Sequence, residues 1–229
     1  YALDKNTTGD QNVAIGRCAL LTSLTGNDNI AIGTEAMCSG YSGCNNIAIG
    51  CKALEDWTGN EGREGSVAIG TCALASITTA AGNTAVGYNA LASETLGDRN
   101  TALGNNSGSA LTTGNYNVSL GSNYSLGRTT TGSYNSAIGD GALSENTTAS
   151  HNTALGQAAL HLNTTGSENT AVGSQSLDAN TTASNNSAFG HGALGANTTG
   201  SQNTAVGDEA LEANTTADNN TALGYNALS

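Results

Sequence analysis

The chain has 229 residues, with 31 Gly, no Pro, one Trp and one Phe, and its 18 acidic side chains against 6 basic ones give a formal net charge of −12. That balance argues against sequence-independent binding to a phosphate backbone, which needs clustered Lys and Arg, and against attraction to anionic lipid. Charged residues make up only 10% and large apolar groups are scarce, which argues against an ordinary globular core but not against order, because Ala, Leu and Ile return at fixed spacing.

From the N-terminus onward a pentad of the form N-x-A-apolar-G recurs, ending on Gly16, Gly33, Gly50, Gly70, Gly87, Gly104, Gly121, Gly139, Gly156, Gly173, Gly190, Gly207 and Gly224. Each glycine follows the last by seventeen, except for one step of twenty (Gly50 to Gly70) and one of eighteen (Gly121 to Gly139). Thirteen copies span the chain without a linker, so a single repeat domain over 1–229 is expected. The chain starts at Tyr1-Ala2-Leu3 and stops at Ala227-Leu228-Ser229, both inside a copy; the expectation is a segment of a longer chain or of a filament. No apolar run approaches the length of a membrane span and no signal peptide is visible.

Position 0 is taken as the pentad glycine. Position −1 is apolar throughout, from Ile15, Ile32 and Ile49 to Val206 and Leu223; −2 is Ala except at Ser119; +4 is Leu or Met except at Gly108 and Ser125. Position −4 is Asn in every copy but one: Asn12, Asn29, Asn46, Asn83, Asn100, Asn117, Asn135, Asn152, Asn169, Asn186, Asn203 and Asn220, with Ser66 the exception. Gly, Asn and Thr are weak helix formers, and so short a period leaves no room for a helical pair. Short β-branched runs bounded by Gly and Asn are strand and turn signals. Seventeen residues at roughly 3.3 Å make about 56 Å of contour, enough for one flattened coil of two short strands and two turns.

The expected fold is therefore an all-β parallel β-solenoid (β-roll) of about 13 rungs stacked about 4.8 Å apart. Stacking turns columns into ladders. The −1 and +4 columns are expected to fill a narrow interior, at roughly 1.5–3 kcal/mol for each side chain buried. The Asn column is expected to be an amide ladder, and the glycine to meet a backbone angle or an approach that side chains resist. Side chains alternate across a strand, so a −2 column of methyl groups offers a face for close approach of another chain. Position −3 is apolar at Val13, Ile30, Ile47, Val67 and Val118 and Thr or Ser elsewhere; its side of the strand stays open.

The strings NVAIG (12–16), NIAIG (29–33 and 46–50), SVAIG (66–70) and NTAVG (83–87) resemble the head repeats of trimeric autotransporter adhesins, and related strings occur in bacteriophage tail fibres. The resemblance covers the chain through these pentads and implies left-handed parallel β-rolls, three chains around one axis, and binding to host surfaces. The present period, mostly seventeen, is longer than the fourteen or fifteen usual there, with the excess in the N-T-T-G-S turn. The family's coiled-coil stalk and membrane anchor have no counterpart in the sequence.

Chemistry-bearing residues are sparse. His151, His161 and His191 have no second His or Cys at ligand spacing, no paired carboxylates or Ser-His-Asp set stands out, and the glycine period carries no phosphate-site Lys; no enzyme, metal or cofactor is expected. Cys18, Cys38, Cys44, Cys51 and Cys72 lie in the first third. Cys38 and Cys44 flank S-G-Y-S-G as a candidate disulfide, and an odd count leaves at least one thiol free or shared. The N-T-T acceptor patterns at Asn146 and Asn163 are accounted for by amide and hydroxyl ladders. Candidate partner-facing residues are Tyr88, Asn89, Tyr116, Tyr134, His151 and Glu168, with Tyr able to stack on sugars. The functional expectation is an extracellular structural or adhesive rod at a cell or virion surface. It would be a trimeric adhesin head or shaft with a host glycan or protein as partner, without nucleic acid and without membrane insertion. A tail-fibre shaft and an end-to-end filament are alternatives, and regular Thr rows leave ice binding as a remote one.

Overall fold

The computed structural model describes residues 1–39, 42–56, 65–122 and 124–229. It contains no helix among them and thirteen strands, each of three residues at positions −3 to −1. Tyr1–Tyr116 form one compact unit and Asn117–Ser229 a second. The first holds β1 (Val13–Ile15), β2 (Ile30–Ile32), β3 (Ile47–Ile49), β4 (Val67–Ile69), β5 (Thr84–Val86) and β6 (Thr101–Leu103). The second holds β7 (Val118–Leu120), β8 (Ser136–Ile138), β9 (Thr153–Leu155), β10 (Thr170–Val172), β11 (Ser187–Phe189), β12 (Thr204–Val206) and β13 (Thr221–Leu223). Within each unit every strand pairs in parallel with the next at one repeat's offset, as in Val13↔Ile30 and Thr170↔Ser187. The protein is an all-β parallel solenoid.

Each rung has one strand, not two. Its other side is a turn-shaped segment from +1 to +6, which still bonds to the neighbouring rungs. Leu177 N donates to Ala193 O at 3.0 Å, and Gln175 N to Gln157 O at 2.9 Å, in opposite directions along the stack. The reversal comes from left-handed residues at +2 and +4, such as Gln175 (φ 59) and Leu177 (φ 50), which turn successive peptides to face alternate neighbours. An L-residue there costs roughly 1–2 kcal/mol. At +2 the chain often uses Gly or Asn (Gly141, φ 68; Gly192, φ 62; Asn89, φ 53), but Ala158 takes φ 56 with no polar side chain to compensate. Ala158→Gly should raise stability by about 1 kcal/mol, read as a higher urea midpoint at unchanged slope.

The interior differs from the expectation. Ala at −2 is the residue that points inward, fully buried from β2 to β6 and in most of β8 to β13. It packs with Ala or Ser at +3 and Leu or Met at +4 (Ala19/Leu20, Ala36/Met37, Ala142/Leu143, Ala193/Leu194). The −1 column lies on the outside: Ile15 is 59% exposed, Leu103 50% and Leu155 43%. Adjacent strand residues cannot both face in, and Leu at +4 already fills the gap between strand and turn, so only a methyl fits opposite it. The Ala column is consequently core within one chain and not a surface for a second. The −3 column shares the outer face with −1.

Irregular copies are repaired locally. The extra residue after Gly121 shifts the turn by one, so Leu126 is buried where Leu is needed and Ser125 falls on the small +3 column. Ser119 Oγ, replacing the −2 Ala, donates to Ser125 O at 2.8 Å, which satisfies a buried hydroxyl. Residues 57–64, which lie in the longest step between glycines, are outside the described residues.

Four polar ladders close the rest of the rung. In the −4 column an Asn Oδ1 accepts the backbone N–H of the same position one rung on, as in Asn46→Asn29 at 3.0 Å, Ser66→Asn46 at 3.0 Å and Asn169→Asn152 at 3.0 Å. Its Nδ2 donates to a backbone carbonyl 14 residues on, as in Asn29→Gly43 at 2.7 Å and Asn186→Gly200 at 2.8 Å. The side-chain to side-chain amide ladder is fullest in the second Asn column, at +7, with Asn163→Asn146 at 3.0 Å and Asn180→Asn163 at 2.9 Å. Thr at +8 donates its hydroxyl to the next rung's carbonyl (Thr164→Thr181, 2.9 Å). Side chains at −6 accept the preceding rung's N–H (Ser167 N→Ser184 Oγ, 3.0 Å). Asn146 and Asn163 are fully buried in these ladders, so their acceptor patterns serve packing.

Candidate interaction face

The outer side of the strand layer is uncharged. Positions −3 and −1 carry only Val, Ile, Leu, Phe, Thr and Ser from β1 to β13, in a chain whose net charge is −12. From β1 to β4 both outward columns are aliphatic. In β9 to β13 the −3 column is Thr or Ser and the −1 column stays aliphatic or aromatic, with Phe189 42% exposed. The hydroxyls of Thr153, Thr170 and Thr204 make no hydrogen bond to the protein, unlike the Thr at +8, and face solvent.

Two corner columns border this face. At −5, just before the strand, Tyr116, Tyr134, His151 and Glu168 all take left-handed backbone (φ 56, 59, 62 and 61). Within the second unit Tyr134 and His151 stack, with centroids 5.0 Å apart and planes 6° off parallel. In the first unit Arg99 lies over the Tyr116 ring at 5.4 Å and its guanidinium also donates to the Tyr116 hydroxyl. Ring faces spent on each other present edges outward, so these columns offer polar edges more than flat sugar platforms. Tyr88 and Asn89 occupy +1 and +2, at the corner after the strand, and Tyr88 is exposed. Tyr88 and Asn89 of the first unit thus lie at a corner after a strand, and Tyr134, His151 and Glu168 of the second unit at corners before one.

Charged groups pair along the +1 and +2 corner and further round the turn at +5 and +6. The Arg17 guanidinium bonds the Glu35 carboxylate, Lys52 Nζ lies 3.5 Å from Glu35 and 2.9 Å from Glu55, and Arg128 lies 2.7 Å from Glu145. His161 and His191 sit 3.7 and 3.0 Å from Asp178 and Asp208 of the following rung. Burial pushes the Asp178 carboxyl up, against the opposing pull of His161. Among the described residues no cluster of three or more His, Cys, Asp or Glu is placed to hold a metal ion, and no helix is long and apolar enough to cross a membrane.

Glu94 is a buried acidic side chain among the polar ladders. It stands at +7, where other rungs use Asn; Ile77 occupies the same column one rung back and Leu111 one rung on, and all three are buried. Its Oε1 accepts the Gly97 N–H at 2.7 Å and Oε2 accepts from Asn100 Nδ2 at 3.2 Å. Burial is the main cause that raises its pKa to about 8, with Asp98 adding to it and backbone bonds from Gly97 and Thr95 opposing it. Aligning the +7 column, in which Glu94 is the lone acidic residue, is the signal that finds it.

Cys38 and Cys44 are thiols in the structure. Cys44 Sγ instead takes a place in the −6 ladder, accepting the Asn27 N–H at 3.3 Å.

These features define a parallel β-solenoid whose two units each carry an uncharged outer strand face. Compared with protein families, curated proteins and solved structures, the chain has no significant match.

Proposed function

We infer that the chain is an extracellular structural and adhesive rod, working as the head or shaft of a trimeric surface adhesin. The observation that supports this is the uncharged outer strand face. Each unit closes its interior with its own Ala and Leu columns and its own polar ladders, yet leaves Ile15, Ile49, Ile69, Leu103, Ile138, Leu155 and Phe189 exposed. An apolar stripe of this kind on an otherwise acidic protein is a surface suited to another copy of itself. The pentads N-V-A-I-G and N-T-A-V-G add the resemblance to adhesin heads and tail fibres. Three chains joined by their strand faces would turn the corner and turn columns outward, toward a host glycan or protein.

Light scattering tests the assembly. A discrete trimer is expected, and Leu155→Glu with Val172→Glu should reduce the solution mass threefold without loss of β-structure, because unpaired carboxylates would be buried between chains. A monomeric or open-ended wild-type protein would overturn the trimer. A glycan array with no signal above background would end the carbohydrate-adhesive version.

The unpaired hydroxyls of Thr153, Thr170 and Thr204 favour a second reading, in which the same flat face orders water as an ice-binding surface. Absence of thermal hysteresis at millimolar protein would exclude it.

A further inference from the structure

The fold sorts the five cysteines in a way their linear spacing does not reveal. Cys44 is engaged in the −6 ladder. Cys51 stands at +1 of the rung of β3 and Cys72 at +2 of the rung of β4, and the Cys72 N–H donates to the Cys51 carbonyl at 2.9 Å. A bond of that kind between neighbouring rungs holds the two Cα atoms roughly 5–6 Å apart, inside the span of about 4.4–6.8 Å that a disulfide bridges.

An equivalent pair shows that side chains on this diagonal can meet. Glu35 N donates to Arg17 O at 2.8 Å, on the same +1 to +2 diagonal, and there the two side chains meet in an ion pair on the outer surface. Cys51 is exposed and Cys72 half-buried, so a small oxidant reaches them. The segment between them includes most of the step from Gly50 to Gly70, the longest in the chain, where a cross-link removes most freedom from the unfolded chain.

We propose that Cys51 and Cys72 are a disulfide-forming pair that staples the rung of β3 to the rung of β4, with a small-molecule disulfide such as oxidised glutathione as oxidant. The Cys51 thiolate attacks one glutathione sulfur, breaking its S–S bond and releasing a first glutathione thiolate. The Cys72 thiolate then attacks the Cys51 sulfur of the mixed disulfide and releases the second. One S–S bond is lost and one gained; the two protein thiol protons pass to the two glutathione thiolates.

The test is disulfide mapping after equilibration with oxidised glutathione, alkylation of remaining thiols, denaturation and tryptic digestion. Cleavage after Lys52 separates Cys51 from Cys72, and the variant carrying Cys18→Ser, Cys38→Ser and Cys44→Ser leaves only this pair. A single cross-linked peptide lighter by two hydrogens is expected in that variant, together with a rise in Tm that reduction reverses. In the otherwise native chain, Cys51→Ser should remove the linkage to Cys72. Full alkylation of both Cys51 and Cys72 after equilibration, or Cys51 bridged to any other cysteine in the native chain, overturns the proposal.

Discussion

Gly156→Ala is expected to destabilise the second unit by about 3–5 kcal/mol, while Gly141→Ala costs about 1 kcal/mol. Gly156 has φ 137, a region open to glycine almost alone. A Cβ there would lie 2.5 Å from the Gly173 carbonyl oxygen, 2.6 Å from its carbon and 2.9 Å from Ser174 N. Those atoms are backbone of the next rung, itself stacked on another glycine, so no side chain can move aside. Gly141 has φ 68 and nothing within 4 Å of its added Cβ, which leaves only the ordinary left-handed cost. Urea unfolding of the two variants separates the causes. Equal losses would mean that backbone angle, and not the close stacking of rungs at position 0, sets the requirement for glycine.

The second large effect is a pH dependence centred on Glu94. The carboxyl is pushed up to about 8 in the folded chain from an ordinary 4.5, so between those values the folded state holds a proton that the unfolded state has released. Stability from this group is complete below about pH 4.5, falls as pH rises through the window and is flat above about 8. Within the window the slope approaches about 1.4 kcal/mol per pH unit. Asp98 is the charged group that reinforces the shift; Ile77 and Leu111 in the column on either side supply no charge. Glu94→Asn restores the residue that other rungs use, whose Nδ2 bonds the carbonyl three residues on (Asn163→Gly166, 2.9 Å). The variant should lose the slope, so the difference in urea midpoint between it and the wild-type chain should widen from pH 5 to pH 8. A constant difference would show that Glu94 ionises normally in the folded protein.

The outward −1 column and the diagonal approach of Cys51 and Cys72 were illegible in the sequence for a common reason. Each depends on which residues lie across a rung boundary and on which side of the strand they fall. Neighbours one repeat apart can be predicted by aligning copies, but diagonal neighbours such as Cys51 and Cys72 depend on hydrogen-bond register. The corner positions of Tyr116, Tyr134, His151 and Glu168 could be read as one variable column; that Tyr134 and His151 turn their faces to each other could not.

The sequence by itself determined the repeat, the parallel solenoid class, the Asn column as an internal ladder and glycine as the residue of closest approach. Identical rungs can bury their faces only by stacking in register, so period alone implies that architecture. Tertiary structure decided what lies inside. Alternation along Thr170-Ala171-Val172 says that Ala and Val point opposite ways without saying which points inward. The choice was made on the far side of the rung, where Ala193 and Leu194 and their equivalents, held in left-handed turns, fill a gap that admits only alanine opposite them. That narrow interior turned the larger aliphatic residues outward and created the face on which the proposed function rests.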